Sequence, residues 1–126
     1  MSDYQPNFVD IAIAKNKKIT NIELKNDILY IYFENNSGLK IWDDGQSCCE
    51  NRYMCTDDTL SDFVGTKLLH IEIKNAPDIE DYLTCHEIQF LEVMTSKGCF
   101  TLVTHNEHNG YYGGFTIRIK HIKGNI

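Results

Sequence analysis

Alternation of apolar and polar residues dominates this chain, and it marks strands. Residues 18–25 alternate over their second half (Ile22, Leu24 against Glu23, Lys25) and end at the turn signal Asn26-Asp27. Residues 28–33 are β-rich and apolar on both faces, which predicts a central strand. Asn35-Asn36-Ser37-Gly38 is a hairpin-type turn, and residues 39–42 return as a third strand before a polar loop over 43–53. The pattern resumes at 66–74, then in a hairpin of 87–95 and 99–104 about Ser96-Lys97-Gly98. It closes at 115–122, with Phe115, Ile117 and Ile119 on one face and Arg118 and Lys120 on the other. Helical spacing occurs once clearly. Leu60, Phe63 and Val64 form an i, i+3, i+4 face behind the cap candidates Thr56 and Asp58, with Gly65 as the stop. Residues 8–14 read as a short helix rather than an edge strand.

The strands repeat. Residues 18–26 align with 67–75 at five identities in nine, and the following pair aligns without gaps when Ile28 is set against Ile88. Tyr30 then meets Phe90, and Trp42 meets Leu102. This predicts an internal duplication, 18–53 and 67–114, of a three-stranded meander ending in a polar loop. Chance resemblance between strand–turn–strand segments stays open as the alternative. The expected fold is mainly β (α+β): antiparallel sheets from two β-meander halves, with one or two short helices packed on them, in a single domain over 1–126.

Composition narrows the function classes. The chain has 126 residues, 42% of them hydrophobic and 24% charged, ordinary for a globular domain. No stretch of eighteen apolar residues exists and the N-terminal residues carry no signal core, so the expected location is the cytoplasm. Five cysteines, two of them adjacent, fit reduced thiols better than a disulfide framework. Net charge is −6 and the lysines are scattered, which argues against a partner of duplex nucleic acid. Only Arg52 and Arg118 offer the bidentate fork suited to phosphate.

The most unusual stretch is 105–114, which has no aliphatic side chain: two imidazoles, two carboxamides, one carboxylate, two phenols and three glycines. It reads as a loop between strands, either an idle turn or one wall of a ligand site. His105 and His108 have the spacing of a zinc pair, but they supply two ligands and adjacent cysteines supply poor geometry, so no metal is expected. His105, Glu107 and His108 could also serve as an acid–base cluster in a small nucleotide hydrolase or lyase, yet no oxyanion hole or phosphate loop accompanies them. Small-ligand binding fits best. His105, Asn106, His108, Asn109 and Tyr111 offer directed hydrogen bonds and flat surfaces, and the glycines let a ligand reach backbone N–H groups. Phe90 and Arg118 would add a ring and a guanidinium for a base and phosphates, and Arg52 sits in the matching loop. Core packing for Phe90 and plain solvation for Arg118 are equally weighted readings.

The segments 43–54 and 56–58, with 104–115, together resemble the first-described Thoeris anti-defence family, small phage and prophage sponge proteins. The likeness runs from about Ile19 to Ile122. It implies a non-enzymatic, phage-encoded protein that needs no cofactor and sequesters glycocyclic ADP-ribose, the signal of TIR-domain defence proteins. It further implies a homo-oligomer, a dimer or higher up to a hexamer, with ligand held between protomers; some members of the family also take up cyclic trinucleotides at a separate site. By that likeness Phe90 stacks on the base, Arg118 opposes it and Asn106 leads the polar contacts, while Arg52 serves the second ligand. The acidic segment 76–84 carries none of the likeness.

Overall fold

The computed structural model describes residues 8–45, 51–75, 79–80, 85–108 and 114–123. In chain order it comprises α1 (Phe8–Ala14), β1 (Ile19–Lys25), β2 (Ile28–Phe33), β3 (Ser37–Asp43), β4 (Asn51–Cys55), a 3-10 turn at Leu60–Phe63, β5 (Leu68–Asn75), β6 (Ile79–Glu80), β7 (Cys85–Thr95), β8 (Gly98–His108) and β9 (Ile117–Lys123). The fold is mainly β. One sheet has the order β1-β2-β3-β9; the other has β4-β8-β7-β5, with β6 on the end of β7. Every pairing of named strands is antiparallel. Both sheets contribute alternate residues to one core, with Leu29, Ile31, Leu39 and Ile41 from the first and Leu91, Val93, Phe100 and Leu102 from the second. Each sheet thus has one packed and one outward face, the usual condition of antiparallel sheets. Contrary to the both-faces expectation for 28–33, β2 buries only Leu29, Ile31 and Phe33, and Tyr30 and Tyr32 lie half-exposed.

The two meanders, β1-β2-β3 and β5-β7-β8, share one plan and exchange their fourth strands. β4, which follows β3 in the chain, pairs with β8, and β9, which follows β8, pairs with β3. Both first strands carry a register shift at matching places, Ile19/Asn21 and Leu68/His70. Lys18 and Lys67, which the sequence aligns with one another, form a bridge to each other, as a local two-fold relation requires. The gap-free alignment of the later strands is corrected by the pairing. Leu24 faces Leu29 in one meander, and its counterpart Ile73 faces Leu91 in the other, so Leu29 corresponds to Leu91 and not to Gln89. Likewise Ile41, opposite Leu29, corresponds to Leu102, opposite Leu91, and Trp42 corresponds to Val103. The hairpin explains why no gap-free alignment fits both strand pairs. Three residues separate β2 from β3 but only two separate β7 from β8, and a strand keeps its hydrophobic set inward at the expense of loop length.

Three further expectations change. The helix over 56–64 is only the 3-10 turn Leu60–Phe63, and both expected caps bond to β8 as well. Thr56 Oγ1 donates to the Thr101 carbonyl and Asp58 Oδ2 accepts from Thr101 N–H, fastening the segment to β8. Phe63 still docks, 5.0 Å from Phe100 between ring centroids, and Gly65 ends the turn at φ +91°. Residues 51–53 are strand rather than loop. So are residues 105–108, because β8 runs between β4 and β7 as far as His108. Within the acidic segment Ile79 and Glu80 pair with His86 and Cys85; the rest of 76–84 lies outside the described residues. The helix at 8–14 forms as expected, burying Ile11 and Ala14, and Asp10 accepts from His121 N–H on β9. Among the described residues no helix is long and apolar enough to cross a membrane.

Candidate functional site

The core changes character along the strands. Inward positions on β8 run Phe100, Leu102, Thr104, Asn106; those on β7 run Val93, Leu91, Gln89, Glu87. β3 passes from Ile41 to Asp43, and β4 from Met54 to Arg52. One end of the sandwich is therefore packed with amides, hydroxyls and charges in place of aliphatic side chains. Such groups cost free energy to bury unless they are bonded, and here they are extensively bonded. Arg52 Nη1 donates to Asp43 Oδ2 at 2.7 Å, with the two side chains only 10% and 6% exposed. The other Asp43 oxygen accepts from the N–H groups of Gly45 at 3.1 Å and Thr116 at 2.9 Å.

These groups converge on Gly114. Its carbonyl accepts from Arg52 Nη1 at 3.1 Å and from Asn106 Nδ2 at 3.2 Å, and its N–H donates to Glu87 Oε1 at 2.7 Å. Asn106 is fully buried. Gly114 stands at φ +79°, a conformation natural to glycine. The last residue of the 105–114 stretch is thus pinned by three side chains from β4, β7 and β8. Beside this network a cavity of about 260 Å³ is lined by Asn26, Asp27, Trp42, Arg52, Tyr53 and Thr104, among others. Thr104 Oγ1 is buried with no hydrogen-bond partner among the described residues, as is Gln89 Oε1.

A second constellation lies on the outward face of the five-stranded sheet. His105 stacks on Tyr53 at 4.4 Å between centroids, its Nδ1 is 2.8 Å from His86 Nε2, and its Nε2 is 3.4 Å from Cys55 Sγ. Tyr53 donates to Glu107, whose carboxylate also lies 3.8 Å from His86. The bond to Glu107, with burial second, pushes the Tyr53 phenol up to about 12. Burial, and next the neighbouring His86, lowers the His105 imidazole. Burial, with Asp57 and Asp27 nearby, raises the Cys55 thiol. A neutral thiol beside a neutral imidazole is the reverse of the thiolate–imidazolium pair that nucleophilic catalysis uses. Among the described residues no group of three His, Cys, Asp or Glu side chains is placed to hold a metal.

This arrangement sets a pH dependence. His105 holds its proton less tightly folded than unfolded, so the unfolded chain takes up more protons as pH falls. The stability involved is present above the ordinary histidine value of 6.5 and is lost as pH drops through it toward the lower folded value. Melting temperature should therefore decline between about pH 7 and pH 5.5, and His105→Gln should flatten that decline. An unchanged profile in His105→Gln would assign the dependence to other groups.

Among the described residues, the expected site residues fall in separate places. Asn106, Arg52 and His105 are committed to the interior network and the histidine cluster. His108 ends β8 opposite Cys85; Asn109 and Tyr111 lie outside the described residues. Phe90 alternates with the core residue Leu91 and is half-exposed on the outward face of the five-stranded sheet. Arg118 alternates with the core residues Ile117 and Ile119 on the other sheet, where its Nε donates to Asp44 at 3.0 Å. The two side chains face away from a shared core in opposite directions. Both arginines are thus bonded to the adjacent aspartates Asp43 and Asp44. Arg118, and after it Trp42, hold the Asp44 carboxyl below its ordinary value. Reasoning from sequence missed Asp43, Glu87, Thr104 and Gln89; the available signal was polar residues at inward strand positions, visible only once the register is right.

A family model for a domain of unknown function, DUF7448, matches residues 13–117. No curated protein and no solved structure matches the chain.

Proposed function

The chain belongs to the DUF7448 family, which carries no assigned activity, and we propose that this protein is a binding protein that sequesters a nucleotide-type signal without cleaving it. The resemblance to Thoeris anti-defence sponges names the ligand class: glycocyclic ADP-ribose, with cyclic oligonucleotides as a second. The observation that carries the reading is the pinning of Gly114 by Arg52, Asn106 and Glu87. Buried charge and amide are invested in holding the stem of a tyrosine- and glycine-rich segment, and a preorganised stem is what a binding loop on a rigid scaffold needs. The raised thiol and lowered imidazole beside it favour binding over covalent chemistry.

Opposite orientations of Phe90 and Arg118 add a condition. A ligand touching both must lie between two copies, the ring from one and the guanidinium from the other. Stoichiometric capture of a nanomolar signal requires about −12 kcal/mol, and enclosure between protomers suits that requirement.

The test uses purified protein with glycocyclic ADP-ribose in calorimetry, followed by heat denaturation and recovery of the small molecule. Intact ligand, near one per site, is expected. Phe90→Ala and Arg118→Ala should each weaken binding at least a hundredfold, and co-refolding the two variants should restore a fraction of the sites. A hydrolysed product would instead establish the nucleotide-processing enzyme. No uptake by the unaltered protein would end the sponge reading.

A further inference from the structure

The outward face of the four-stranded sheet has a composition that the sequence disperses. Register places Asn21, Tyr32, Gly38 and Ile122 in one row across β1, β2, β3 and β9. Glu23, Tyr30, Lys40 and Lys120 form the second row, and Lys25, Ile28, Trp42 and Arg118 the third. Lys25, Lys40, Lys120 and Arg118 thus share a surface with a single carboxylate, Glu23, in a chain of net charge −6. Asp44 stands at the rim, bonded to Arg118 and Trp42. Lys40 and Lys120 are directly opposed across β3 and β9, an arrangement that costs stability in the absence of an anion.

The rings on this face are ordered. Tyr30 and Tyr32 lie parallel to within 4°, 6.1 Å between centroids, and Lys40 Nζ sits 4.7 Å from the centre of the Trp42 ring. All three aromatic residues are half-exposed, while Lys25, Lys120 and Arg118 are exposed. At Gly38 a side chain would lie 3.4 Å from the Tyr32 ring and 2.7 Å from the Ile31 carbonyl, so this corner of the face stays flat. Flat rings interleaved with cations on an antiparallel sheet are the physical requirement for unpaired bases on a phosphate backbone: the rings stack on base faces and the cations follow the phosphates. A duplex presents base edges rather than faces and would leave the rings unused.

We propose that this face binds single-stranded nucleic acid, with Tyr30, Tyr32 and Trp42 under the bases and Lys25, Lys40 and Lys120 along the phosphates. The proposal does not rest on the sponge reading, which needs the 105–114 segment and a second copy. It uses one face of one chain.

Fluorescence anisotropy with labelled eight-nucleotide oligo-uridine and oligo-thymidine, titrated with the full chain in 50 and 150 mM salt, tests it. Binding is expected, with a log–log salt slope of about −2 for three neutralised phosphates. Tyr30→Ala should weaken it about tenfold. Lys40→Glu/Lys120→Glu should weaken it more than tenfold, whereas Lys15→Glu/Lys67→Glu, the same change of charge placed elsewhere, should leave it within twofold. Circular dichroism melts confirm that each variant is folded. No binding by the unaltered chain at 50 mM salt overturns the proposal. So does equal weakening by both double variants, which would mean overall charge alone. Capture of poly-glutamate as tightly as the oligonucleotide, with Tyr30→Ala without effect, would instead make this a surface for acidic polypeptides.

Discussion

Arg52→Ala should destabilise the fold by about 3–5 kcal/mol, the range for removing one partner of a buried ion pair. The Asp43 carboxylate, 6% exposed beside Arg52, stays charged without it, and among the described residues the N–H groups of Gly45 and Thr116 remain to satisfy it. The same substitution removes one of the three side chains that hold Gly114. For a domain of this size the expected fall in melting temperature is about 10–20 °C. Most of the cost is a stranded charge rather than a lost attraction, so Asp43→Asn combined with Arg52→Ala should be less damaging than Arg52→Ala alone. Calorimetric or chemical unfolding of the two single variants and the double variant measures the coupling. A loss below about 1 kcal/mol for Arg52→Ala would rank the pair with ordinary surface ion pairs.

Leu102→Ala should cost about 2–5 kcal/mol, and Val103→Ala, one residue further along the same strand, much less, about 1 kcal/mol or below. Leu102 is completely buried opposite Leu91, at the centre of the cluster shared by both sheets. Val103 faces outward, half-exposed, between Phe90 and Cys55. The comparison tests the register directly. The gap-free alignment sets Leu102 against the half-exposed Trp42, whereas strand pairing sets it against the fully buried Ile41. Equal losses from the two substitutions would contradict the pairing described.

The stop of β8 and the start of the 105–114 stretch illustrate how a sequence pattern misleads at a polar end of the sandwich. Thr104 and Asn106 are polar at positions where alternation calls for aliphatic side chains, so the strand looks finished at Thr104. It continues because β4 and β7 supply backbone partners on both sides, as far as Glu107 on the one and His108 on the other. The backbone bonds on both flanks support the strand regardless of side-chain hydrophobicity. The short helix failed for a related reason: two turns of helix hold no stability of their own, and Thr56 and Asp58 tie the segment to the Thr101 backbone.

By itself the sequence determined the mainly antiparallel β character, most strand positions, the helix at 8–14 and the likeness of 18–26 to 67–75. These follow from period-two alternation and local turn chemistry, which need no partner to be read. Only the tertiary structure decided that the fourth strands are exchanged, that Arg52 and Asp43 are buried together, and that Phe90 and Arg118 face apart. It alone gathered Lys25, Lys40, Lys120 and Arg118 on one face. Strand pairing joins residues far apart in the chain, and the register of those pairs is set by whole-sheet burial rather than by any local signal.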